Sequence, residues 1–245
     1  MDNTPQVVVL AGGLGSRLGE AGRHCPKIMQ PVEGRPFLDL LLQPLISRGM
    51  RRYVFCLGHL ADPVTDHLRR RWPELEISIH VDTAPRGTAG SLLAARHMLD
   101  EVFLVVLGDT YLDIDYAAMM DLLTPDVAAV MAVSDAQDDV PGNIEIEHGR
   151  VLLYDKGADA HDHAWVDTGA LLLRREALGR LRVADESVDL GALFHALIEH
   201  TALAAHVVHA AFYDIGTPAR LSRFSLLVRQ RQLSGPSTRH LPRPK

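Results

Sequence analysis

The sequence contains few cysteines, no excess of positive charge and no apolar run long enough to span a bilayer. Cys25 and Cys56 are the two cysteines among 245 residues, and neither has neighbours at the spacing of a metal site. The formal net charge of −6 argues against nonspecific binding to nucleic acid or to a membrane surface. We therefore expect reduced thiols and a small-molecule partner, with neither nucleic acid nor membrane as a partner.

The first residues, MDNTPQ, carry no positive segment, and the apolar strand that follows is too short for a signal sequence. We therefore expect a cytoplasmic protein. Hydrophobic residues make up 47% of the chain, which is sufficient to bury the core of one large domain.

Short apolar runs alternate with segments of helical spacing through the first half of the chain. The runs predict strands at residues 7–10, 53–57, 77–81, 102–107 and 127–133. Helices are predicted between most of them, at residues 36–49, 61–72, 88–99 and 116–123. Nearly continuous apolar strands are typical of a parallel sheet with helices on both faces. The predicted fold class is therefore α/β, with a mixed, mostly parallel sheet flanked by helices.

The pattern changes after Val133. Two alternating segments flank His148-Gly149, a dipeptide typical of a two-residue hairpin turn, and the strand WVDTGALLLRR follows. A helix is predicted at residues 188–200, a strand at 204–210 and a last helix from 218 to about 230. We expect a single domain over residues 1–232 with an inserted β-rich region, and a disordered, proline-rich tail at 233–245.

A glycine-rich turn follows the first strand in the stretch VVVLAGGLGSRLGEAGRHCPK. A dinucleotide fingerprint and a P-loop would each need a glycine where Leu18 stands, so both patterns fail. What remains is bare backbone that a triphosphate can approach, with Arg17 and Lys27 to supply positive charge. The turn therefore predicts a phosphate site.

The stretch LAGGLGSRL followed by Pro26-Lys27 resembles the signature of the sugar-1-phosphate nucleotidyltransferases. In the stretch PRGTAGSLLAA, Arg86 stands where the corresponding motif of the family usually has leucine. The likeness covers nearly the whole chain and is closest to the short branch that includes D-glycero-D-manno-heptose 1-phosphate and mannose-1-phosphate guanylyltransferases. Further stretches resemble motifs of the family in the same order, namely PRGTAGSLLAA, VVLGD, GRVLLYDKG and FYDIGTPARL.

The resemblance implies a Rossmann-like fold, similar to that of GT-A glycosyltransferases, in which residues 1–133 bind nucleotide and residues 134–232 bind sugar. It implies transfer of a nucleotidyl group from a nucleoside triphosphate, with GTP favoured, to a heptose or hexose 1-phosphate, with release of pyrophosphate. UTP, CTP, ATP and dTTP stay open as alternatives. So do a catalytically inactive regulatory homologue and a GT-A glycosyltransferase, for which Asp113 and Asp115 have the spacing of a DxD metal motif.

The resemblance also implies roles for individual residues. Arg17 would bind the β and γ phosphates, and Lys27 would stabilise charge near the α-phosphate. Mg²⁺ is the expected cofactor, held by Asp109 and Asp214. Nucleotide contacts are expected from Leu10, Ala11, Gly12, Gly13, Gly15, Ser16, Arg17, Gly87, Thr88 and Gly108. Sugar-phosphate contacts are expected from Asp155, Lys156, Asp167, Thr168 and Gly169.

Two weaker patterns concern metals and partners. His161 and His163 lie close together, but no third ligand follows at the spacing of a zinc site, so zinc is not expected. Leu226 and Leu227 on the last predicted helix are expected to be exposed, which leaves a homodimer open.

Overall fold

The computed structural model of the protein describes residues 4–13, 15–19, 22, 24–135, 140–157, 163–181, 187–210 and 212–234. His161 lies outside these residues. Of the predicted tail, residues 233 and 234 belong to the last helix, and the remainder lies outside the described residues.

The described residues form a chain of short strands and helices. The strands are β1 (Gln6–Ala11), β2 (Pro31–Val32), β3 (Arg35–Pro36), β4 (Arg52–Leu57), β5 (Glu76–Val81), β6 (Val102–Leu107), β7 (Thr110–Leu112), β8 (Ala129–Asp135), β9 (Ile144–Glu147), β10 (Arg150–Tyr154), β11 (Trp165–Arg174), β12 (Leu203–Val207) and β13 (Phe212–Asp214). The α-helices are α1 (Phe37–Ser47), α2 (Ala61–Arg71), α3 (Gly87–Ala94), α4 (Ala117–Asp121), α5 (Leu190–Ile198) and α6 (Pro218–Ser234). Short 3₁₀ helices lie at Ser16–Leu18, Lys27–Met29, Arg96–Met98 and Arg175–Arg180. In the described part of the chain, no helix combines the length and the apolar character needed to cross a membrane.

Nine strands form one mixed sheet in the order β5-β4-β1-β6-β11-β8-β12-β10-β9. The strands β5, β4, β1 and β6 are parallel, whereas β11 runs antiparallel between β6 and β8. The predicted hairpin of β9 and β10 joins the far edge of this sheet through β12. The predicted α/β class is confirmed, and the β-rich region is a continuation of the main sheet.

Alternate residues of β1 pack on opposite faces of the sheet. Val7 and Val9 belong to a core cluster that includes side chains of α1 and α2, while Val8 and Leu10 belong to a second cluster with side chains of α3 and α5. None of the four is more than 8% exposed. Each such side chain contributes roughly 1.5–3 kcal/mol on burial. Burial on both faces explains why the strand is apolar at every position.

The predicted third helix is interrupted in the structure. The helix α3 ends at Ala94, and a 3₁₀ helix covers Arg96–Met98. The amide side chain of Gln6 donates to the carbonyl of Met98 at 3.1 Å and accepts from the N–H of Asp100 at 2.9 Å. Gln6 of β1 thus supplies hydrogen-bond partners for the backbone at Met98 and Asp100, in place of the bonds that a longer helix would make.

The last helix, α6, is only partly exposed. Leu226 is 57% exposed, as expected, but Leu227 packs against the core. The expectation that both leucines are exposed was therefore wrong for Leu227, because neighbouring residues on a helix point about 100° apart.

The parallel strands end together at one edge of the sheet. From β1 the chain proceeds to β4 and β5 on one side and then returns to β6 on the other side of β1. In open α/β sheets ligands bind at such a switch point, beyond the carboxyl ends of the strands. The glycine turn after β1 and Asp109 after β6 both lie at this edge, where the N–H of Gly108 donates to the carbonyl of Leu10 at 2.8 Å.

Candidate functional site

A cavity of about 630 Å³ opens at the carboxyl edge of the parallel strands. A cavity of this size accommodates a small organic ligand. Ser16 begins the 3₁₀ helix that carries Arg17. The cavity wall includes Lys27, Asp109 and nine of the predicted nucleotide contacts, which are Leu10, Ala11, Gly12, Gly13, Gly15, Arg17, Gly87, Thr88 and Gly108.

The glycine turn presents bare backbone to this cavity. A Cβ at Gly13 would have no atom within 4 Å and would project into open space. Gly15 has φ of +63°, a left-handed conformation that favours glycine. Gly108 is constrained differently, since a Cβ there would lie 2.7 Å from the Cβ of Ala11. The ends of β1 and β6 can therefore approach closely.

Charged side chains converge at one end of the cavity. A Cβ at Gly216 would lie 2.7 Å from Oδ1 of Asp214, 3.3 Å from Nζ of Lys27 and 3.6 Å from Nη2 of Arg17. Lys27 also forms an ion pair with Asp109. We call Arg17, Lys27, Asp109 and Asp214 the charged cluster. The sequence predicted each of these residues, and the fold brings them together from four separate segments.

The short strands β7 and β13 bring the two carboxylates of the cluster together. The strands pair in antiparallel fashion, and the N–H of Ile215 donates to the carbonyl of Asp109 at 2.9 Å. Oδ1 of Asp214 accepts from the N–H of Gly216 at 2.7 Å, and Oδ2 forms an ion pair with Arg220. The sequence predicted no strand at Asp214, because strands as short as these leave little periodic signal.

The donor set of Asp109 and Asp214 fits magnesium. Mg²⁺ is usually held by one or two carboxylates together with water and substrate phosphate oxygens. Among the residues that the structure describes, no group of three or more His, Cys, Asp or Glu side chains could hold a metal without a substrate. The negative charge of Asp109 is balanced by Lys27, and that of Asp214 by Arg220.

The segment before α5 holds the second predicted nucleotide stretch in place. The N–H of Val188 donates to the carbonyl of Arg86 at 2.7 Å, and the carbonyl of Val188 accepts from the N–H groups of Ala89 and Gly90 at 2.9 and 3.0 Å. These bonds occupy amides in the first turn of α3. The amides of Ala89 and Gly90 are therefore not free to bind a phosphate.

We expect Gly87→Ala to destabilise the protein by about 2–4 kcal/mol. Gly87 has φ of +72°, and a Cβ there would lie 2.5 Å from the carbonyl oxygen of Val188. The melting temperature, measured by calorimetry, should fall by roughly 5–15 °C for a chain of this length. Gly13→Ala is the control, because its Cβ would meet open space. Equal melting temperatures for the two variants would contradict the role of Val188.

The predicted sugar contacts lie beside the cavity, on and around β10 and β11. Nζ of Lys156 is 2.7 Å from Oδ2 of Asp189, which lines the cavity. Oδ1 of Asp155 accepts from the N–H of Gly157 at 2.8 Å. Thr168 is 1% exposed, and its hydroxyl donates to a backbone carbonyl of β8 at 2.7 Å. The prediction of a sugar-phosphate contact is therefore not met by the side chain of Thr168, which is buried in the sheet.

Asp167 is a partly buried carboxylate in the same region. Burial raises the pKa of Asp167 to about 6, although its Oδ1 accepts from the N–H of Gly169 at 2.8 Å. Because the folded state disfavours the ionised form, the stabilising contribution of Asp167 is present at low pH. It is lost as pH rises from about 4 to about 6.

We expect Asp167→Asn to raise the free energy of unfolding at pH 7 by about 1–2 kcal/mol, because the neutral amide avoids the cost of a buried charge. Below about pH 4 the gain should vanish, since the aspartate is then protonated in both states. Urea unfolding at several pH values between 4 and 7 measures the difference. Asp155→Asn, at an exposed position, is the control for loss of one negative charge. A gain that does not change with pH would contradict the pKa shift.

Some cavity residues were missed from the sequence. Asp82 directly follows β5 and lines the wall together with Cys56 of β4. An acidic residue directly after a parallel strand was the signal that could have identified it. Burial, with a smaller contribution from Asp82, raises the pKa of Cys56 to about 12, so the thiol stays neutral. Asp189 and Gly216 reach the cavity from the second half of the chain and had no local signal.

Three described residues of the other two sequence patterns, Asp113, Asp115 and His163, do not line the cavity. Asp113 pairs with Arg48 at 2.7 Å, and Asp115 accepts from a backbone N–H at the start of α4. His163 pairs with Glu145 at 3.1 Å. The carboxylates of the DxD motif therefore make contacts within the fold and do not face the charged cluster.

Comparisons with known proteins agree with this geometry. The sequence model of the family described as nucleotidyl transferase matches residues 6–231. A D-glycero-alpha-D-manno-heptose 1-phosphate guanylyltransferase of Campylobacter jejuni is 25% identical over 114 residues, or 46% of this chain and 52% of the relative. A putative mannose-1-phosphate guanyltransferase of Sulfolobus acidocaldarius is 25% identical over 224 residues, or 89% of this chain and 62% of the relative. The chain thus spans between about half and three fifths of the length of these relatives.

A solved structure supports the same assignment. The crystal structure of HddC from Yersinia pseudotuberculosis, complexed with GMP-PN, has a TM-score of 0.75 and 27% sequence identity to this chain. The match covers 90% of this chain and 97% of HddC. Because the family model matches residues 6–231, nearly all of the 245 residues, the chain belongs to the nucleotidyl transferase family.

Proposed function

We propose that this protein transfers a nucleotidyl group from a nucleoside triphosphate, with GTP favoured, to a heptose or hexose 1-phosphate. The observation that carries the proposal is the charged cluster, which lies at one end of a cavity walled by glycine backbone. The names of the two guanylyltransferase relatives and the GMP-PN complex of HddC support the choice of GTP. The names of the relatives also support a sugar 1-phosphate as acceptor.

The proposed reaction is an in-line displacement at the α-phosphorus. An oxygen of the sugar phosphate forms a bond to the α-phosphorus, while the bond from this phosphorus to the bridging oxygen of the β-phosphate breaks. Pyrophosphate leaves and carries that electron pair. The second pKa of a phosphate monoester is near 6, so the nucleophile is already ionised at neutral pH and needs no general base. Catalysis then depends on charge neutralisation and alignment.

The charged cluster has the groups that this reaction requires. Arg17 would bind the β and γ phosphates, and Lys27 would stabilise charge that develops on the α-phosphate and the departing pyrophosphate. Lys27 is paired with Asp109, so binding of the triphosphate would replace this carboxylate partner with a phosphate oxygen. Asp109 and Asp214 are the residues that would hold Mg²⁺. A bound magnesium ion would neutralise phosphate charge and orient the triphosphate.

The sugar phosphate would bind on the side of the cavity where Asp189 lies. Lys156 is 70% exposed and would exchange Asp189 for the phosphate of the sugar. Asp155, Asp167 and the backbone at Gly169 would contact the sugar ring, because ionised carboxylates accept hydrogen bonds from hydroxyl groups. A carboxylate at Asp167 favours a neutral hexose or heptose over a sugar with an acidic substituent. We propose the cytoplasm as the location, where both substrates are available as soluble small molecules.

A matrix of substrates tests the proposal. The protein is incubated with Mg²⁺, with each of GTP, UTP, CTP, ATP and dTTP, and with a panel of heptose and hexose 1-phosphates, while pyrophosphate release is measured. We expect release with at least one pair and the highest rate with GTP. Absence of pyrophosphate with every pair would refute the transferase proposal. A glycosyltransferase would instead release a nucleoside diphosphate from a nucleotide sugar, and parallel incubations with nucleotide sugars in place of the triphosphates test for that product.

A further inference from the structure

Arg86 is a cation on the cavity wall that the mechanism above does not use. It directly precedes α3, it lines the cavity and its side chain is 49% exposed. Its Nε lies 3.3 Å from Oδ1 of Asp82. A guanidinium group has five N–H donors in a planar fork. Among the described residues, Asp82 is the one polar partner of the Arg86 side chain, so the terminal nitrogens of Arg86 can reach a ligand in the cavity.

Asp82 is the residue that holds Arg86 in this position. Its side chain is only 6% exposed. Oδ1 of Asp82 also contacts Nε2 of His80 at 3.0 Å, and Oδ2 accepts from the hydroxyl of Ser91. Asp82 thus has three partners, from β5, α3 and the loop between them. These contacts hold the buried carboxylate in place, and its contact with Nε orients Arg86.

Asp82 and Arg86 lie about as far from the charged cluster as the base of a nucleotide lies from its phosphates. Asp82 directly follows β5, whereas Asp109 lies just beyond β6, and the order β5-β4-β1-β6 separates the two strands by three steps. At about 4.8 Å per step, the separation is about 14 Å. When phosphates occupy the charged cluster, the base of the same nucleotide extends along the cavity toward Arg86.

We propose that Arg86, oriented by Asp82, recognises guanine by donating two hydrogen bonds to its O6 and N7. This inference rests on the proposed function and assigns a specificity residue to it. Guanine presents O6 and N7 as adjacent acceptors, which match the fork of an arginine. Adenine places an amino donor beside N7, cytosine presents an amino donor, and thymine presents a single acceptor, O4, on the corresponding edge. A directed guanidinium therefore favours guanine over these bases.

The contact distinguishes this chain from the motif that it resembles. The motif that PRGTAGSLLAA resembles usually has leucine where Arg86 stands, and a leucine side chain donates no hydrogen bond. Lysine would keep the charge of Arg86 but would lose the planar fork. Substitution by each of these residues therefore separates hydrogen-bond geometry from charge.

Binding measurements without sugar phosphate test the inference. Calorimetry with GTP, ATP, CTP and UTP in the presence of Mg²⁺ gives the affinity of each triphosphate for the wild-type protein, R86L, R86K and R69L. Wild type should bind GTP at least roughly tenfold more tightly than the others. R86L should weaken GTP binding by roughly 10- to 100-fold and leave the other three nearly unchanged, and R86K should also lose the preference. The exposed Arg69 of α2 is the matched control, and R69L should behave as wild type.

Equal binding of all four triphosphates by wild type, or a preference for CTP, would overturn the inference. So would an equal loss for all four triphosphates in R86L, which would make Arg86 a phosphate contact or a structural residue. The test is independent of turnover. If guanine selectivity depends on Arg86 but no pyrophosphate is ever released, the proposed function fails alone. If pyrophosphate is released but R86L leaves base selectivity unchanged, the inference fails alone.

Discussion

Replacing Lys27 with alanine is expected to lower turnover by roughly 100- to 1000-fold while it changes triphosphate affinity by less than about tenfold. Lys27 is 15% exposed and lies 3.3 Å from the Cβ position of Gly216, where Arg17 and Asp214 also converge. Its charge is paired with that of Asp109. Its interaction with substrate should therefore strengthen most when negative charge shifts toward the leaving pyrophosphate.

Single-turnover rates at saturating substrate, together with calorimetric affinities for the triphosphate, separate these two effects. Arg69→Ala, which removes a positive charge on the exposed face of α2, is the matched control and should retain wild-type kinetics. If affinity and rate fall by equal factors in Lys27→Ala, Lys27 binds the ground state and the assigned role is wrong.

Asp109→Asn is expected to lower the rate of pyrophosphate release by at least roughly 100-fold and to remove most of its dependence on magnesium concentration. The amide keeps the size of the side chain but loses the charge that a hard cation requires. It also loses the ion pair with Lys27, so triphosphate affinity without metal should not fall. Rates measured over a titration of Mg²⁺, with EDTA as the metal-free reference, test this expectation.

The neighbouring acidic pair supplies the control for this experiment. Asp113→Asn removes a carboxylate that is paired with Arg48 and does not line the cavity. It should alter stability more than metal dependence. If Asp113→Asn abolishes the response to magnesium and Asp109→Asn does not, the DxD motif of a glycosyltransferase becomes the better interpretation.

Much of the first half of the fold was predictable from local patterns. The apolar run of β6 was predicted at its observed bounds, and β1, β4 and β5 differed by one or two residues. The strands β1, β4 and β6 are buried on both faces, so almost every position carries an apolar signal. The edge strand β5 is only partly buried, and its signal was the alternation of apolar and polar residues. The predicted third helix was too long because Gln6, far away in the sequence, bonds to Met98 and Asp100. No local propensity contains that information.

The candidate site was predictable where its residues follow strands. Arg17 and Lys27 follow the first strand and Asp109 follows β6, so their spacing along the chain already indicated phosphate chemistry. Asp82 follows β5 in the same way, but it lies in none of the stretches that resemble motifs of the family. Thr168 belongs to a matching motif, yet its hydroxyl bonds to β8 and is buried. A motif predicts residue identity, whereas burial depends on the neighbouring strand.

By itself, the sequence determined the order of strands and helices, the bare backbone of the glycine turn and the identity of the cations beside it. These features depend on residues close together along the chain, where periodicity and spacing have direct physical meaning. Only the tertiary structure decided that Gly216 and Asp214 meet Lys27, that Val188 holds the start of α3 and that Asp82 orients Arg86. The contacts of Gly216, Asp214 and Val188 join distant segments, and that of Asp82 depends on how β5 and α3 pack. Their formation follows from the packing of one sheet edge, which no local pattern specifies.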